Sequence, residues 1–375
     1  MSNRIHILFY CPFLNGGGAE MHLVRMMKSL DETRFEKTLV ISRSGGSYEY
    51  LIRNTDINII YLDINSESSF IRILKSIFPL VKSIKDINPD ITFSLMDNVN
   101  VFVILSHRIA RHKSKLVIGV QTSIKKSIEF SNSHFKRFIL SLMKNLYKYA
   151  DKIICLSNGV ANELNQILIN TQKKQYEVIH NIGFESEKNY KTQEKNKHQL
   201  CICGRLIPLK GFDLVIKAVA EVSKKYDDVS LVILGEGPEK EKLRSQCYNL
   251  NISNRVYFKG FVTNVAQVMA ESEIFILSSY YEGFGNVIVE SMGVGTPVIA
   301  TDCPYGPADI ITNGKNGFLV PIGNSNAISK SVIELFNNQN TYDQIRLLGY
   351  QKANDFTSST ISKQHEKLFD KILEK

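Results

Sequence analysis

The chain has 375 residues, a length typical of two domains, and 43% of them are hydrophobic, enough for ordinary buried cores. No apolar run reaches the ~18 residues that a membrane-spanning helix needs, and the composition excludes a disordered chain. The six cysteines are scattered and form no C-x-x-C pair, so we expect neither a disulfide framework nor a zinc site.

The net charge of +9 is concentrated in one segment. Residues 107–152 carry 11 basic and 2 acidic side chains. Such a basic face could bind nucleic acid, lie on anionic lipid headgroups, or be an ordinary solvated helix surface. Composition alone leaves the three interpretations open.

The first predicted element is a strand over Ile5–Tyr10. Preceded by Arg4, it could pass for a short signal peptide, but it lacks a small-residue cleavage site and leads directly into a glycine-rich loop. A buried strand is therefore the better interpretation, and we expect a cytosolic protein.

Short apolar runs rich in Ile, Val and Phe alternate with helical segments along the whole chain. In the first half the predicted strands are Ile5–Tyr10, Lys37–Ile41, Ile57–Tyr61, Ile91–Leu95, Leu116–Val120 and Lys152–Leu156. In the second half they are Gln199–Cys203, Ser230–Leu234, Val256–Phe258, Ile274–Leu277, Pro297–Ala300 and Gly317–Val320. Nearly continuous apolar strands separated by helices predict parallel sheets covered on both faces.

The fold class is therefore α/β, with two doubly wound Rossmann-like domains facing a cleft. Residues 185–198 are polar and lack apolar periodicity, so we predict domains at 1–188 and 189–356. A helix at 357–375 is expected to cross back and complete the first domain. In such sheets ligands bind beyond the carboxyl ends of the strands, where the loops should carry the chemistry.

Two of these loops suggest phosphate binding. After the first strand, Gly16, Gly17 and Gly18 precede a helix, whose first N–H groups can face an anion. The loop matches neither G-x-G-x-x-G nor a Walker A motif, so a plain tight turn is an equal alternative. After the first strand of the second half, Arg205 and Lys210 place two cations that could grip a diphosphate, although surface cations in a loop are common.

The most informative segment is Glu282–Glu290, which follows a strand and enters a helix. Two carboxylates separated by seven residues can hold vicinal hydroxyls through charge-assisted hydrogen bonds. The N–H groups around Gly285, Asn286 and Val287 face any anion at the helix start. Hydroxyls and phosphates on one ligand describe a nucleotide sugar.

These residues, together with Gly295–Asp302, resemble the family-4 retaining glycosyltransferases of the GT-B fold over the whole chain. The resemblance implies that Glu290 holds the ribose hydroxyls and that Glu282 contacts the donor sugar. It also implies that Arg205 and Lys210 neutralise the diphosphate and that Gly17 and Gly18 approach its distal phosphate. The nucleotide-sugar site would be completed by Gly283, Phe284, Gly285, Asn286 and Val287, and Arg205, Lys210 and Glu282 would act in catalysis.

Two further points concern cofactors and a departure from the family. Family members need no metal, and this sequence contains no D-x-D triplet, so we expect neither a metal nor another cofactor. Many relatives carry a His or Arg after the strand Leu116–Val120, where this chain has Gln121. We predict Gln121 only as a possible donor-site contact.

The loop Thr301–Asp309 resembles a subset that builds bacterial surface polysaccharides and lipid-linked oligosaccharides, usually from UDP-hexoses or UDP-N-acetylhexosamines. With such a site, the segment 107–152 is better interpreted as a surface for anionic membrane lipid than for nucleic acid. The enzyme would then lie on the inner face of the cell membrane, with a lipid-linked or polysaccharide acceptor. The interleaved apolar and basic residues are Phe130, Phe135, Phe138, Ile139, Leu142 and Met143, with Lys125, Lys126, Lys136, Arg137, Lys144 and Lys148.

Four alternatives remain at this point. A sugar-nucleotide epimerase or hydrolase of the same fold, or a transferase with a soluble acceptor, would use the same donor site. A dinucleotide-dependent oxidoreductase is disfavoured because the glycine spacing is wrong and the second strand is followed by Ser42 and Arg43 rather than an acid. An inactive binding subunit is disfavoured because Glu282 and Glu290 are both present.

Overall fold

The computed structural model describes residues 4–15, 17–66, 68–123, 125, 141–168, 176–185 and 195–374. Its internal contacts divide the chain into two compact units. The first unit is Met1–Ile182 with Ser358–Lys375, and the second is Gly183–Thr357. Each contains a parallel sheet with helices, as predicted for an α/β chain.

The described sheet of the first unit has seven parallel strands in the order β3-β2-β1-β4-β5-β6-β7. Its strands are β1 Ile5–Cys11, β2 Phe35–Ile41, β3 Asn58–Tyr61, β4 Ile91–Ser94, β5 Lys115–Val120, β6 Lys152–Cys155 and β7 Tyr176–Val178. Its helices are α1 Gly18–Ser29, α2 Ser69–Lys75, α3 Ile77–Ile87, α4 Asp97–Ala110 and α5 Asn158–Ile167. The central strands are buried on both faces, which explains their unbroken apolar sequences.

Among the described residues of the second unit, the sheet has six parallel strands in the order β10-β9-β8-β11-β12-β13. They are β8 Asn196–Cys203, β9 Ser230–Leu234, β10 Val256–Gly260, β11 Ser272–Leu277, β12 Val298–Thr301 and β13 Phe318–Val320. The helices are α6 Phe212–Val222, α7 Lys240–Asn249, α8 Val265–Glu271, α9 Asn286–Gly293, α10 Pro307–Ile310, α11 Ser325–Asn337 and α12 Gln339–Ala353.

Both sheets reverse their strand order at one point, and this point locates the ligand crevice of a doubly wound fold. In the first unit the reversal lies between β1 and β4, which pair in parallel. In the second unit it lies between β8 and β11. The loops that follow these four strands are therefore the ones that can face a common ligand within each unit.

All twelve predicted strands are present, each within three residues of its expected bounds. We did not predict β7, because its three residues are only half-buried and carry no apolar run. The units divide at Ile182 and Gly183, earlier than the predicted boundary at 188 and 189. The reason is local packing: the Gly183 N–H donates to the Phe356 carbonyl, and a Cβ on Gly293 would meet the Phe184 ring at 2.3 Å.

The last helix, α13 (Ser358–Leu373), packs on α1 of the first unit. Arg34 donates to Glu366 at 3.0 Å and to both oxygens of Asp370 at 2.7 and 2.9 Å. Beneath these ion pairs the rings of His22 and His365 lie 5.9 Å apart, both buried. The C-terminal helix therefore completes the hydrophobic core of the first unit.

The buried histidine pair makes stability depend on pH. Burial lowers the pKa of His22 well below its usual value and that of His365 to about 4. In the unfolded chain both titrate near 6.5, so below that pH the unfolded state binds protons that the native state refuses. We expect the free energy of unfolding to fall by up to ~1.4 kcal/mol per pH unit for each histidine between about pH 6.5 and 4.

Calorimetric melting at pH 7.5 and 5.0 checks this expectation. The variant His365→Leu removes one of the two titrations and should lose less of its melting temperature on acidification than the wild type. An equal loss on acidification for His365→Leu and the wild type would contradict this account.

Candidate functional site

The loop after β8 carries the two predicted diphosphate cations. Arg205 is exposed, and its guanidinium makes no hydrogen bond or ion pair with any residue that the structure describes. Gly211 ends the loop at a φ of +62°, and a Cβ there would lie 2.3 Å from the Ser278 carbonyl oxygen. Only glycine allows this contact with the loop after β11. The hydroxyl of Ser278 also donates to the Lys210 carbonyl at 2.8 Å.

The centre of the site is an ion pair between Lys210 and Glu282. Lys210 Nζ lies 2.5 Å from Glu282 Oε1, and the Ser279 hydroxyl donates to the same oxygen at 2.6 Å. The side chains are 26% and 12% exposed, so the pair is largely screened from water and yet open on one side. Coulomb attraction at this separation is stronger than at a surface, so the pair fixes both side chains.

Glu290, the second predicted glutamate, is half-buried in α9. Its charge reaches the end of β8: the pKa of the Cys203 thiol is raised to about 12, first by burial and then by Glu290, while Lys210 opposes the rise. The pKa of the buried Cys303 thiol is likewise raised by burial and then by Glu282, while Lys210 lowers it. The four predicted charged residues therefore come from the two loops and the helix at the strand reversal of the second unit.

The start of α9 is the second predicted anion contact. Gly285 precedes the helix at a φ of +95° and, being a glycine, has no side chain of its own that could cap the first N–H groups. The half-exposed residues Gly283, Asn286 and Val287 lie around this terminus, whose N–H groups carry partial positive charge. The Phe284 side chain instead points into the interior, 5.3 Å from the Phe356 ring, so only its backbone can contribute to binding.

We did not predict the loop after β12 as part of the site. Tyr305 has a φ of +67°, which is rare for a bulky residue, and its ring meets the Tyr281 ring at 6.1 Å. A Cβ on the next residue, Gly306, would lie 2.3 Å from the Phe284 oxygen. The loop after β12 therefore packs tightly against the backbone of residues 283–285. The backbone strain at Tyr305 could not be predicted from the sequence.

In the first unit, the predicted glycine loop follows β1. Gly17 and Gly18 are exposed at the start of α1, while Gly16 lies outside the described residues. The Gly17 N–H donates to the Glu20 carboxylate, so a carboxylate holds the position predicted for a phosphate. The phosphate contact stays a prediction.

Gln121 follows β5 and is 7% exposed. Its N–H donates to Asp97 Oδ1 at 3.1 Å, and its side-chain amide makes no hydrogen bond within the described ranges. We did not predict Asp97, which follows β4 in the same sheet. A polar residue directly after a buried strand is the signal that could have found it.

The predicted membrane segment is only partly visible. Residues 126–140, which include Phe130, Phe135, Phe138, Ile139, Lys126, Lys136 and Arg137, lie outside the described residues. In the part of the chain that the structure does describe, no helix is long and apolar enough to cross a bilayer. The same residues contain no group of three His, Cys, Asp or Glu side chains that could hold a metal ion.

Comparison with known proteins identifies the family of the chain. Residues 16–182 match Glycosyltransferase Family 4, and residues 184–352 match Glycosyl transferases group 1. The N-acetylgalactosamine-N,N'-diacetylbacillosaminyl-diphospho-undecaprenol 4-alpha-N-acetylgalactosaminyltransferase of Campylobacter jejuni is 30% identical over 96% of this chain and 94% of its own. The uncharacterized glycosyltransferase MJ1059 of Methanocaldococcus jannaschii is 29% identical over 64% of this chain and 62% of its own. The crystal structure of Anabaena HepE in complex with UDP has a TM-score of 0.80 at 22% identity, covering 98% of this chain and 100% of that one.

The chain is therefore an enzyme that transfers sugars, and its two parallel sheets have the GT-B fold. The chain is a member of the family-4 glycosyltransferases. The predicted fold and family are both confirmed.

A pair of glycine substitutions tests whether the loop after β12 packs against the backbone of Phe284. Gly306→Ala should displace the loop from Phe284, because the new Cβ cannot share space with the carbonyl oxygen. The Cys303 thiol, 3% exposed in the native fold, should then react with an alkylating reagent. Peptide mass spectrometry after brief alkylation measures this directly.

Gly314→Ala is the matched control, since Gly314 also has a positive φ (+73°) but open space around its Cβ. It should cost only the ~1–2 kcal/mol of backbone strain and leave Cys303 protected. Equal protection of Cys303 in both variants would show that the loop after β12 does not pack against Phe284 as described.

Proposed function

We propose that this enzyme is a retaining glycosyltransferase that takes a hexose or N-acetylhexosamine from a UDP-linked donor. The observation that carries the proposal is the Lys210–Glu282 pair, which lies with Glu290 and Arg205 at the strand reversal of the second unit. A ligand that needs cations, carboxylates and a helix start together is one with a diphosphate and free hydroxyls. The UDP bound by HepE supports the choice of nucleotide.

Each charged group has a distinct role in this proposal. Glu290 accepts hydrogen bonds from the ribose hydroxyls, and Glu282 accepts them from the sugar. Lys210 and the exposed Arg205 neutralise the diphosphate as it departs, the role that a metal ion fills in other phosphate-leaving reactions. Because Lys210 contacts Glu282, the neutralisation of the leaving diphosphate by Lys210 is coupled to the binding of the sugar by Glu282.

Residues of the first unit are proposed to complete the reaction. Gly17 and Gly18 would contact the distal phosphate through their N–H groups, with Glu20 giving up its bond to Gly17. Gln121 would donate its side-chain amide to the donor sugar. These assignments rest on the family resemblance.

The transfer itself needs no separate nucleophile. The acceptor hydroxyl oxygen bonds to the anomeric carbon on the face from which the diphosphate leaves, and the carbon–oxygen bond to the phosphate breaks. The hydroxyl proton passes to the departing phosphate oxygen. The anomeric configuration is thereby retained, and no additional base is required.

We further propose a lipid-linked or polysaccharide acceptor at the inner face of the cell membrane. Support comes from the Campylobacter relative, whose name places its acceptor on diphospho-undecaprenol. The basic segment 107–152 would contact the anionic headgroups there; Lys125, Lys144 and Lys148 are its described lysines within the interleaved set. A soluble acceptor is the alternative, since the donor site alone does not define the acceptor.

A thermal-shift panel of UDP, GDP and ADP, each free and sugar-linked, tests the donor. UDP and at least one UDP-sugar should raise the melting temperature, because a ligand at 100 times its Kd stabilises by ~2.7 kcal/mol. Incubation of the stabilising UDP-sugar with a polyprenyl-diphosphate glycan, followed by mass spectrometry, should give an acceptor one sugar heavier.

Conversion of the donor without an acceptor would favour the epimerase or hydrolase, and stabilisation by GDP or ADP but not UDP would overturn the choice of nucleotide. NMR of the new glycosidic bond reports its configuration, and inversion would refute the retaining mechanism.

A further inference from the structure

Carboxylates from other elements accept hydrogen bonds from the described residues that follow β5, at positions 121–123 and 125. Asp97 accepts the Gln121 N–H at 3.1 Å and the Thr122 hydroxyl at 3.0 Å. Glu163, on α5 and 4% exposed, accepts the Ser123 hydroxyl and, at 2.8 Å, the Lys125 N–H. We call Asp97 and Glu163 the carboxylate clamp.

Asp97 lies at the strand reversal of the first unit. It follows β4 and begins α4, while the glycine loop follows β1 and Gln121 follows β5, the two strands that pair with β4. Ligands of doubly wound sheets bind at this position. The carboxylate that orients Gln121 therefore stands where a bound substrate is expected.

Burial disfavours the charged form of Asp97. Its pKa is raised to about 7, chiefly by burial, against the hydrogen bonds from Thr122 and Gln121, and the charge of Glu163 adds to the rise. The other titratable groups that face it are Tyr147, whose hydroxyl donates to the Asp97 carbonyl, and Cys155 on β6. The elements that surround Asp97 therefore supply hydrogen bonds, and none of these named groups supplies a positive charge.

We propose that Asp97 is a positioning residue for sugar transfer, whose ionised carboxylate fixes the backbone of Gln121 and Thr122 so that the Gln121 amide faces the reacting sugar. This inference rests on the proposed function. A carboxylate that serves structure alone is expected to keep a low pKa, whereas burial raises the pKa of Asp97 although it accepts hydrogen bonds from Gln121 and Thr122. Groups that cost stability at a ligand-binding edge are typical of functional sites.

The substitution Asp97→Asn separates the two roles. Asparagine keeps the shape and can still accept the Gln121 N–H, but it removes the charge that holds the Thr122 hydroxyl. We expect a higher melting temperature than the wild type at pH 8 and a kcat at least ten-fold lower, with the donor KM within about three-fold. The wild-type kcat should rise between pH 6 and 8 with a midpoint near 7 as the carboxylate ionises, and Asp97→Asn should lose that rise.

Asp90→Asn is the matched control. Asp90 precedes β4 and accepts a hydrogen bond from the His6 N–H at 2.8 Å. It lies at the amino end of that strand, whereas Asp97 follows its carboxyl end. This variant should keep the wild-type pH profile and turnover. Thr122→Val, which removes only the hydroxyl bond, should reproduce part of the kcat loss.

Hydrogen exchange at pH 8 gives a readout that does not depend on the donor. The amides of Gln121 and Thr122 should exchange faster in Asp97→Asn than in the wild type. A wild-type pH profile and turnover in Asp97→Asn, or a lower melting temperature that falls with its activity, would overturn the positioning role. If the wild type itself transfers no sugar, the proposed function fails and this role with it, while the exchange data still report whether the clamp exists.

Discussion

The ion pair between Lys210 and Glu282 is the interaction on which the proposed donor site depends. It joins the loop after β8 to the loop after β11, and these two strands pair with each other at the reversal of the sheet. Ser279 and the contact of Gly211 with Ser278 hold the same two loops in register. An ion pair of this exposure stabilises the fold only modestly, so its main effect is to fix two charged groups in one geometry before a ligand arrives.

Backbone constraints complete what the ion pair begins. Gly211, Gly285 and Gly306 adopt positive φ angles, and two of them touch backbone atoms that a Cβ would displace. Gly306 packs against the backbone of Phe284, just before the helix start at Asn286, and the neighbouring Tyr305 has a positive φ of +67°. Rigid loops of this kind lower the cost of organising charge around a departing diphosphate.

The sequence predicted the second unit better than the first, for a physical reason. Arg205, Lys210, Glu282 and Glu290 are charged residues in loops after apolar strands, and parallel strands bring such loops to one edge. The carboxylate clamp escaped prediction because Asp97 and Glu163 lie 66 positions apart in the sequence and act through backbone N–H groups. Strand β7 and the positive-φ loop at Tyr305 and Gly306 depend on tertiary contacts, which a local sequence pattern does not predict.

We propose that Glu282 holds the donor sugar while Lys210 neutralises the diphosphate. Calorimetric Kd values for UDP and for the UDP-sugar donor, in the wild type, Glu282→Gln and Lys210→Met, test both roles. We expect Lys210→Met to weaken the binding of both ligands, whereas Glu282→Gln should weaken UDP-sugar binding about ten-fold or more and leave UDP binding as tight as in the wild type. Equal effects of Glu282→Gln on UDP and on the UDP-sugar would contradict these roles.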